Sequence, residues 1–214
     1  MPPAPLSPWN RSLNEKKYEI VAREPLYEGH FRADRWHVRH TTFRGGWSAV
    51  HGLEIFDRGD AAAVLPWDPD TDEVVLVEQF RAAAIPSAPS PWLLEAVAGS
   101  MKPGEHPEDV VRREAMEEAG LTLTELRHVT SFLPSCGAMI EELHVYVAPV
   151  DASTAGGVHG LADEHEDMKV HVLPFAQVLA MTEDGRIVAG NTVVAVYWLA
   201  LHREALRAQW SRRP

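Results

Sequence analysis

The sequence predicts a mixed α+β sandwich, α+β rather than α/β, on three observations. Short apolar runs bounded by turn residues recur through the middle of the chain. Helical patterns are few, one near the centre and two at the end. The two kinds do not alternate in the regular way that a doubly wound fold requires.

Residues 1–57 are rich in aromatic and β-forming residues, as in YEIVAREPLY and RWHVRHTTF, and predict a small antiparallel sheet followed by the short run LEIF. The texture changes after this, so the expected organisation is an N-terminal β unit (1–57) and a main domain (58–214). Within the main domain, AAAVLP (61–66), EVVLVEQF (73–80) and PWLLEAVAG (91–99) are apolar runs separated by DPDTD and by IPSAPSP, and each predicts one buried strand. A helix is predicted over about 107–119. Pro107 suits its first position, Glu108 and Asp109 face its positive end, and Gly120 can close it in the left-handed conformation. Further strands are predicted at 127–133, 142–150 and 168–174. Two helices follow, one ending at Gly185 and one N-capped by Asn191 with apolar positions at helical spacing.

The chain has 214 residues, 45% of them hydrophobic, with a formal charge of -11. That balance argues against a long phosphate-tracking surface and so against nucleic-acid binding, while leaving anionic small molecules open if a divalent metal reverses the local field. The single cysteine, Cys136, excludes an internal disulfide and a Cys-based zinc site within one chain, and suits a reducing cytoplasm. No segment approaches the length of apolar chain that a membrane-spanning helix needs, and the N-terminus lacks the pattern of a secretory signal.

The central helix raises a chemical question. At 100° per residue, Glu114, Glu117 and Glu118 fall within an arc of about 100°, next to a strip of small apolar residues at Val111, Ala115 and Ala119. The carboxylates therefore border the buried side. Like charges at these spacings each cost a few tenths of a kcal/mol on an exposed helix, and more where water is excluded. An acidic helix is ordinarily a solvated face with ion pairs. Here Arg113 can pair with Glu117 one turn on, which leaves Glu114 and Glu118 with oxygens suited to a hard cation such as Mg²⁺.

The flanking residues complete a longer pattern. GSMKPGEHPEDVVRREAMEEAGL places Gly99, Glu105, Arg113-Glu114, Glu117-Glu118 and Gly120-Leu121 at every fixed position of the Nudix box. The chain thus resembles the Nudix hydrolases. The resemblance implies an α/β/α sandwich with a central mixed sheet, a loop-helix-loop that binds Mg²⁺ or Mn²⁺, and hydrolysis of a nucleoside diphosphate linked to another moiety. It implies that Glu114, Glu118 and the carbonyl of Ala98 are metal ligands and that Arg113 holds the carboxylates in place. Glu117 either contacts a metal through water or supports the others, and Glu105 is either a ligand or, more in keeping with its loop, an anchor.

Beyond the box, IFDRGDAAAVLPWDP, VVLVEQFR, PWLLEAVAG, SFLPS and VHGLADEHEDMKVHV resemble bacterial ADP-ribose pyrophosphatases that also act on other nucleoside diphosphate sugars. This implies Mg-dependent hydrolysis of ADP-ribose to AMP and ribose 5-phosphate, and a homodimer that exchanges residues 1–57 between subunits. Trp9, Trp36 and Trp47 suit such an interface, although a monomeric core would need them equally. The acidic segment GLADEHED would supply Glu164 as general base and Glu166 as a further metal contact. Substrate contacts carry over to Arg58, Arg81 and Glu141, and to Phe31, Glu54, Ser135 and Gly137 at positions where neighbouring residues depart from the pattern. Those departures are Cys136 in the turn Ser135-Cys136-Gly137, Leu53 before Glu54, and His30 before Phe31. They touch the substrate assignment and leave the metal-binding residues intact. The alternatives are hydrolysis of other nucleoside diphosphate sugars and a noncatalytic module that binds ADP-ribose as a sensor.

Overall fold

The computed structural model describes residues 16–161 and 166–211. The chain divides into two compact units, one running through Arg58 and adding Ser135–Ile140, the other comprising Gly59–Pro134 and Glu141–Pro214.

In the first unit β1 (Tyr18–Glu28), β2 (Arg32–His40) and β3 (His51–Asp57) form the antiparallel sheet that the alternating aromatic and charged residues predict. Arginines stack on its aromatic rings: Arg23 lies 4.1 Å from the centre of Trp36 and Arg39 lies 5.0 Å from that of Trp47. Each contact turns a long basic side chain along an apolar surface.

The second unit is built on β4 (Ala61–Asp68), buried along its whole length. The hairpin from β4 into β5 (Glu73–Phe80) is fixed by Asp68, whose carboxylate accepts the backbone N–H groups of Asp70 and Thr71. The two strands pair only at Trp67↔Val74 and Asp68↔Glu73, then part. The run 91–99 enters the split as two strands where one was expected: β6 (Trp92–Glu95) pairs with β5, and β7 (Val97–Ser100) pairs with β4. Ala96 stands at the change of partner, and its N–H donates to Thr192 Oγ1 at 2.8 Å.

Helix α1 (Pro107–Ala119) follows, and Gly120 ends it at φ 66°. Strands β8 (Arg127–Phe132), β9 (Met139–Ile140), β10 (Leu143–Pro149), β11 (Val158–His159) and β12 (Met168–Pro174) come next. Strand β9 is too short to leave a periodic trace in sequence; it pairs in parallel with β3 and so brings Ser135–Ile140 into the first unit. In the second unit the strand order is β11-β12-β5-β4-β10-β8, with β10 parallel to β4 and the other pairs antiparallel. The sheet is mixed, as the resemblance to the Nudix hydrolases implies.

Helices α2 (Phe175–Glu183) and α3 (Gly190–Trp210) complete the described residues. Asn191, expected as the N-cap of α3, lies within its first turn, because the helix begins at Gly190 and Ala189 takes the cap position with no side-chain bond. One core joins Leu65, Trp67 and Leu76 to Phe175, Val178, Ala195 and Leu199, and the other joins Val64, Val75 and Val97 to Val110, Val111 and Ala115. The alternation along β4 and β5 thus puts α1 on one face of the sheet and α2 with α3 on the other. No helix among the described residues is long and apolar enough to cross a membrane.

Candidate active site

The small strip Val111, Ala115 and Ala119 is fully buried against the sheet, and this close approach carries the neighbouring carboxylates down with it. Glu118 is only 2% exposed and Glu114 only 8%, while Glu117 is half-buried. Both buried carboxylates meet β7. Glu118 Oε2 accepts the N–H of Ala98 at 3.2 Å. Glu114 lies over Gly99 so closely that a Cβ there would collide with its Oε1. The glycine of the box is therefore the floor on which a carboxylate rests.

Arg113 Nη1 donates to Glu114 Oε1 at 2.7 Å and to Glu117 Oε2 at 3.0 Å. It thus holds two glutamates where the i,i+4 spacing alone predicts one. Glu105 accepts the N–H of Lys102 at 2.7 Å, and its other oxygen lies 3.9 Å from Arg113 Nε. This is the geometry of a loop anchor.

The electrostatics match the packing. Burial raises the pKa of Glu118 to about 8, and Glu114 and Glu166 add to the shift. The N–H of Ala98 and the positive charge of Arg81 oppose it. Glu114 is also raised, first by burial, against the influence of Arg113. Among the described residues no three His, Cys, Asp or Glu side chains stand assembled around a cation position. The donor set nevertheless suits a hard divalent ion: two buried carboxylates one helical turn apart, a third charge from Glu166 acting on both, and a backbone floor without a side chain. The metal-free protein has a testable signature. A carboxyl raised in the folded state stabilises it below the unfolded value, and that stability is lost as pH rises through the folded value. Melting temperature without metal should fall between pH 5 and about pH 8 through Glu118. The upper bound is roughly 5 kcal/mol, at about 1.4 kcal/mol for each tenfold change in proton affinity. Calorimetric melts with chelator and with excess Mg²⁺ check this, with the metal expected to remove most of the decline.

Arg81 follows β5, and its Nε donates to Glu95 Oε2 at 2.8 Å. Glu95, buried at the end of β6, was missed by sequence reasoning. Its signal is a lone charge in the apolar run WLLEAVAG, since a buried carboxylate needs a partner. Glu166 Oε2 accepts the N–H of Leu161 at 3.2 Å, and Gly160, at φ 108°, lies against the Glu166 backbone, which closes the ends of the acidic segment. Glu164 lies outside the described residues. Glu141 is buried just before β10.

The remaining expected substrate contacts belong to the first unit. Phe31 stacks edge-on against Phe56 at 5.4 Å, and Arg58 lies 5.9 Å from the Phe31 ring centre. Glu54 accepts Arg35 Nη2 at 3.0 Å. Ser135 and Gly137 are exposed in the turn before β9. The structure thus gathers Ala98, Glu114, Glu117, Glu118 and Arg113, with Arg81 and Glu166 close enough to act electrostatically on Glu118, and within the first unit it brings Arg58 to Phe31.

The chain is similar to several known proteins along most of its length. The sequence profile of the NUDIX domain matches residues 57–193. An ADP-ribose pyrophosphatase of Escherichia coli K12 is 50% identical over 200 residues, covering 94% of this chain and 96% of that protein. One from Haemophilus influenzae is 40% identical, covering 95% and 98%. A GDP-mannose pyrophosphatase of Salmonella arizonae is 34% identical over 74% of this chain and 82% of its own. A solved structure of an ADP compounds hydrolase shares the fold, with a TM-score of 0.66 at 19% identity, over 90% of this chain and 96% of that one. A domain match that runs from residue 57 to 193, and a relative half identical over 94% of the chain, carry the conclusion that a buried Glu114 resting on Gly99 already suggests: the chain belongs to the Nudix family of hydrolases.

Proposed function

We propose that the protein hydrolyses the pyrophosphate of ADP-ribose to AMP and ribose 5-phosphate in the cytoplasm, with Mg²⁺, or Mn²⁺ in its place, held by Glu114, Glu118, Glu166 and the carbonyl of Ala98. The observation that carries this reading is the buried Glu114–Glu118 pair in a chain half identical, over 94% of its length, to an ADP-ribose pyrophosphatase. A bound divalent ion supplies neutralisation of the charge that builds on the diphosphate. Arg113 keeps Glu114 and Glu117 oriented toward it. Arg81, its Nε held by Glu95, offers its remaining guanidinium N–H groups to a phosphate. Glu164 takes a proton from the attacking water; Glu164→Gln should lower kcat by about 10² to 10⁴-fold with KM nearly unchanged. A matching fall in substrate affinity would count against that role. Glu141, Arg58, Phe31, Glu54, Ser135 and Gly137 contact the substrate, the last five of them residues of the first unit. That unit carries exposed Tyr18, Tyr27, Phe43 and Trp47, which a homodimer would cover by exchanging it. Light scattering should give twice the chain mass.

Relatives that are GDP-mannose pyrophosphatases favour a second reading, in which the preferred substrate is another nucleoside diphosphate sugar. A panel of ADP-ribose, GDP-mannose and ADP-glucose with Mg²⁺ separates them by product analysis. AMP from ADP-ribose with the highest kcat/KM is expected. Faster turnover of another sugar nucleotide would move the assignment to it, and tight binding of ADP-ribose without product would make the protein a sensor.

A further inference from the structure

The split between β4 and β5 is where the site is built, and a single residue stands at its apex. Before Ala96 the chain pairs with β5 in the register Val77↔Glu95, and after it with β4 in the register Val64↔Val97. The residue just before the change, Glu95, holds Arg81. The residue two after it, Ala98, donates to Glu118. The angle of the chain at Ala96 therefore sets both the cationic and the anionic parts of the site.

That angle is tied from the opposite face of the sheet. The N–H of Ala96 donates to Thr192 Oγ1 at 2.8 Å, and Thr192 is fully buried in the first turn of α3. The hydroxyl in turn donates to Asn191 Oδ1 at 3.3 Å, which aims a lone pair at Ala96. Helix α3 is anchored by Ala195, Val196 and Leu199, which are fully buried in the core that includes Ala96. An unbonded N–H at this depth would carry its full desolvation penalty, so the chain is drawn to the hydroxyl that fixes its bend.

We infer that Thr192 is a positioning residue of the hydrolytic site: through Ala96 it sets where β7 presents Ala98 and Gly99 to Glu118 and Glu114, and where β6 presents Glu95 to Arg81. This rests on the assignment of the metal to Glu114 and Glu118. The test is Mn²⁺ affinity without nucleotide, read by electron paramagnetic resonance, together with kcat, KM and the thermal melt. Thr192→Val keeps the volume and removes the acceptor; it should weaken Mn²⁺ binding by about 10-fold, the loss typical of residues that orient metal ligands. Its kcat should fall more than its KM rises, and Thr192→Ser should restore Mn²⁺ binding to within about twofold. A purely architectural threonine would lower the melting temperature and leave Mn²⁺ affinity alone, and that result overturns the inference, as does a failure of serine to rescue. If Thr192→Val gives no cooperative melt, Asn191→Ala decides. That variant leaves the Thr192 hydroxyl in place but removes the Asn191 oxygen that accepts both it and the Thr192 N–H, and should weaken Mn²⁺ binding by about threefold; wild-type affinity there is the overturning result. Loss of Mn²⁺ binding in Glu118→Gln but not in Thr192→Val removes the positioning role alone. Unchanged binding in Glu118→Gln removes the metal assignment and this inference with it.

Discussion

Glu118→Gln is expected to lower kcat for ADP-ribose by on the order of 10³-fold, about 4 kcal/mol, while raising the stability of the metal-free protein at pH 8. Both effects come from one fact: the carboxylate is buried, and burial with Glu114 and Glu166 lifts its pKa to about 8. Glutamine keeps an oxygen for the N–H of Ala98 but carries no charge for a cation. It therefore removes the electrostatic penalty together with the function. The gain at pH 8 should be roughly 2 kcal/mol, or about 4–8 °C in melting temperature for a chain of this size. At pH 5 it should vanish, because the wild-type group is then protonated. A variant with a lowered melting temperature at both pH values would show that Glu118 stabilises the fold rather than opposing it.

The second large effect is expected at Gly99. Alanine would drive a methyl group into Glu114 Oε1. Gly99 does not adopt a left-handed backbone, so no strain arises from φ, and what must move is the Glu114 side chain from Cγ outward, together with its bond from Arg113. Stability should change by less than about 1 kcal/mol, since alanine also restricts the unfolded chain. Metal affinity should fall by about 10 to 100-fold and kcat/KM with it, because Glu114 can no longer lie on β7. Calorimetric melts beside Mn²⁺ titration separate the two quantities. Unchanged metal binding would mean that Glu114 reaches its ligand position without the glycine.

The parts that were legible in the sequence are those set by local chemistry. Helix α1 announces itself through Pro107, its acidic first turn and Gly120, and its small-residue strip shows which side is buried. The hidden parts depend on distant chain. PWLLEAVAG reads as one strand because nothing at Ala96 marks a break; the break is imposed by the parting of β4 from β5 and by Thr192, 96 residues away. Ser135–Ile140 joins the first unit through a two-residue strand, too short for any period. Arg113 serves Glu114 as well as Glu117 because an adjacent residue on a helix can be reached by a long side chain, which face-counting overlooks. Asn191 carries the signature of a helix cap, yet its oxygen turns to Thr192.

The change of strand at Ala96 also makes the site a ruler. Glu95, which holds the arginine proposed to grip a phosphate, and Ala98, which meets a carboxylate proposed to hold the metal, are three residues apart in the chain. Three residues span at most about 10 Å, and neither end can drift without the other. The spacing between the anchor of Arg81 and the anchor of Glu118 is thus written into the covalent chain. On the proposed reading, substitutions in the first unit should therefore change which sugar nucleotide is preferred without disturbing this spacing.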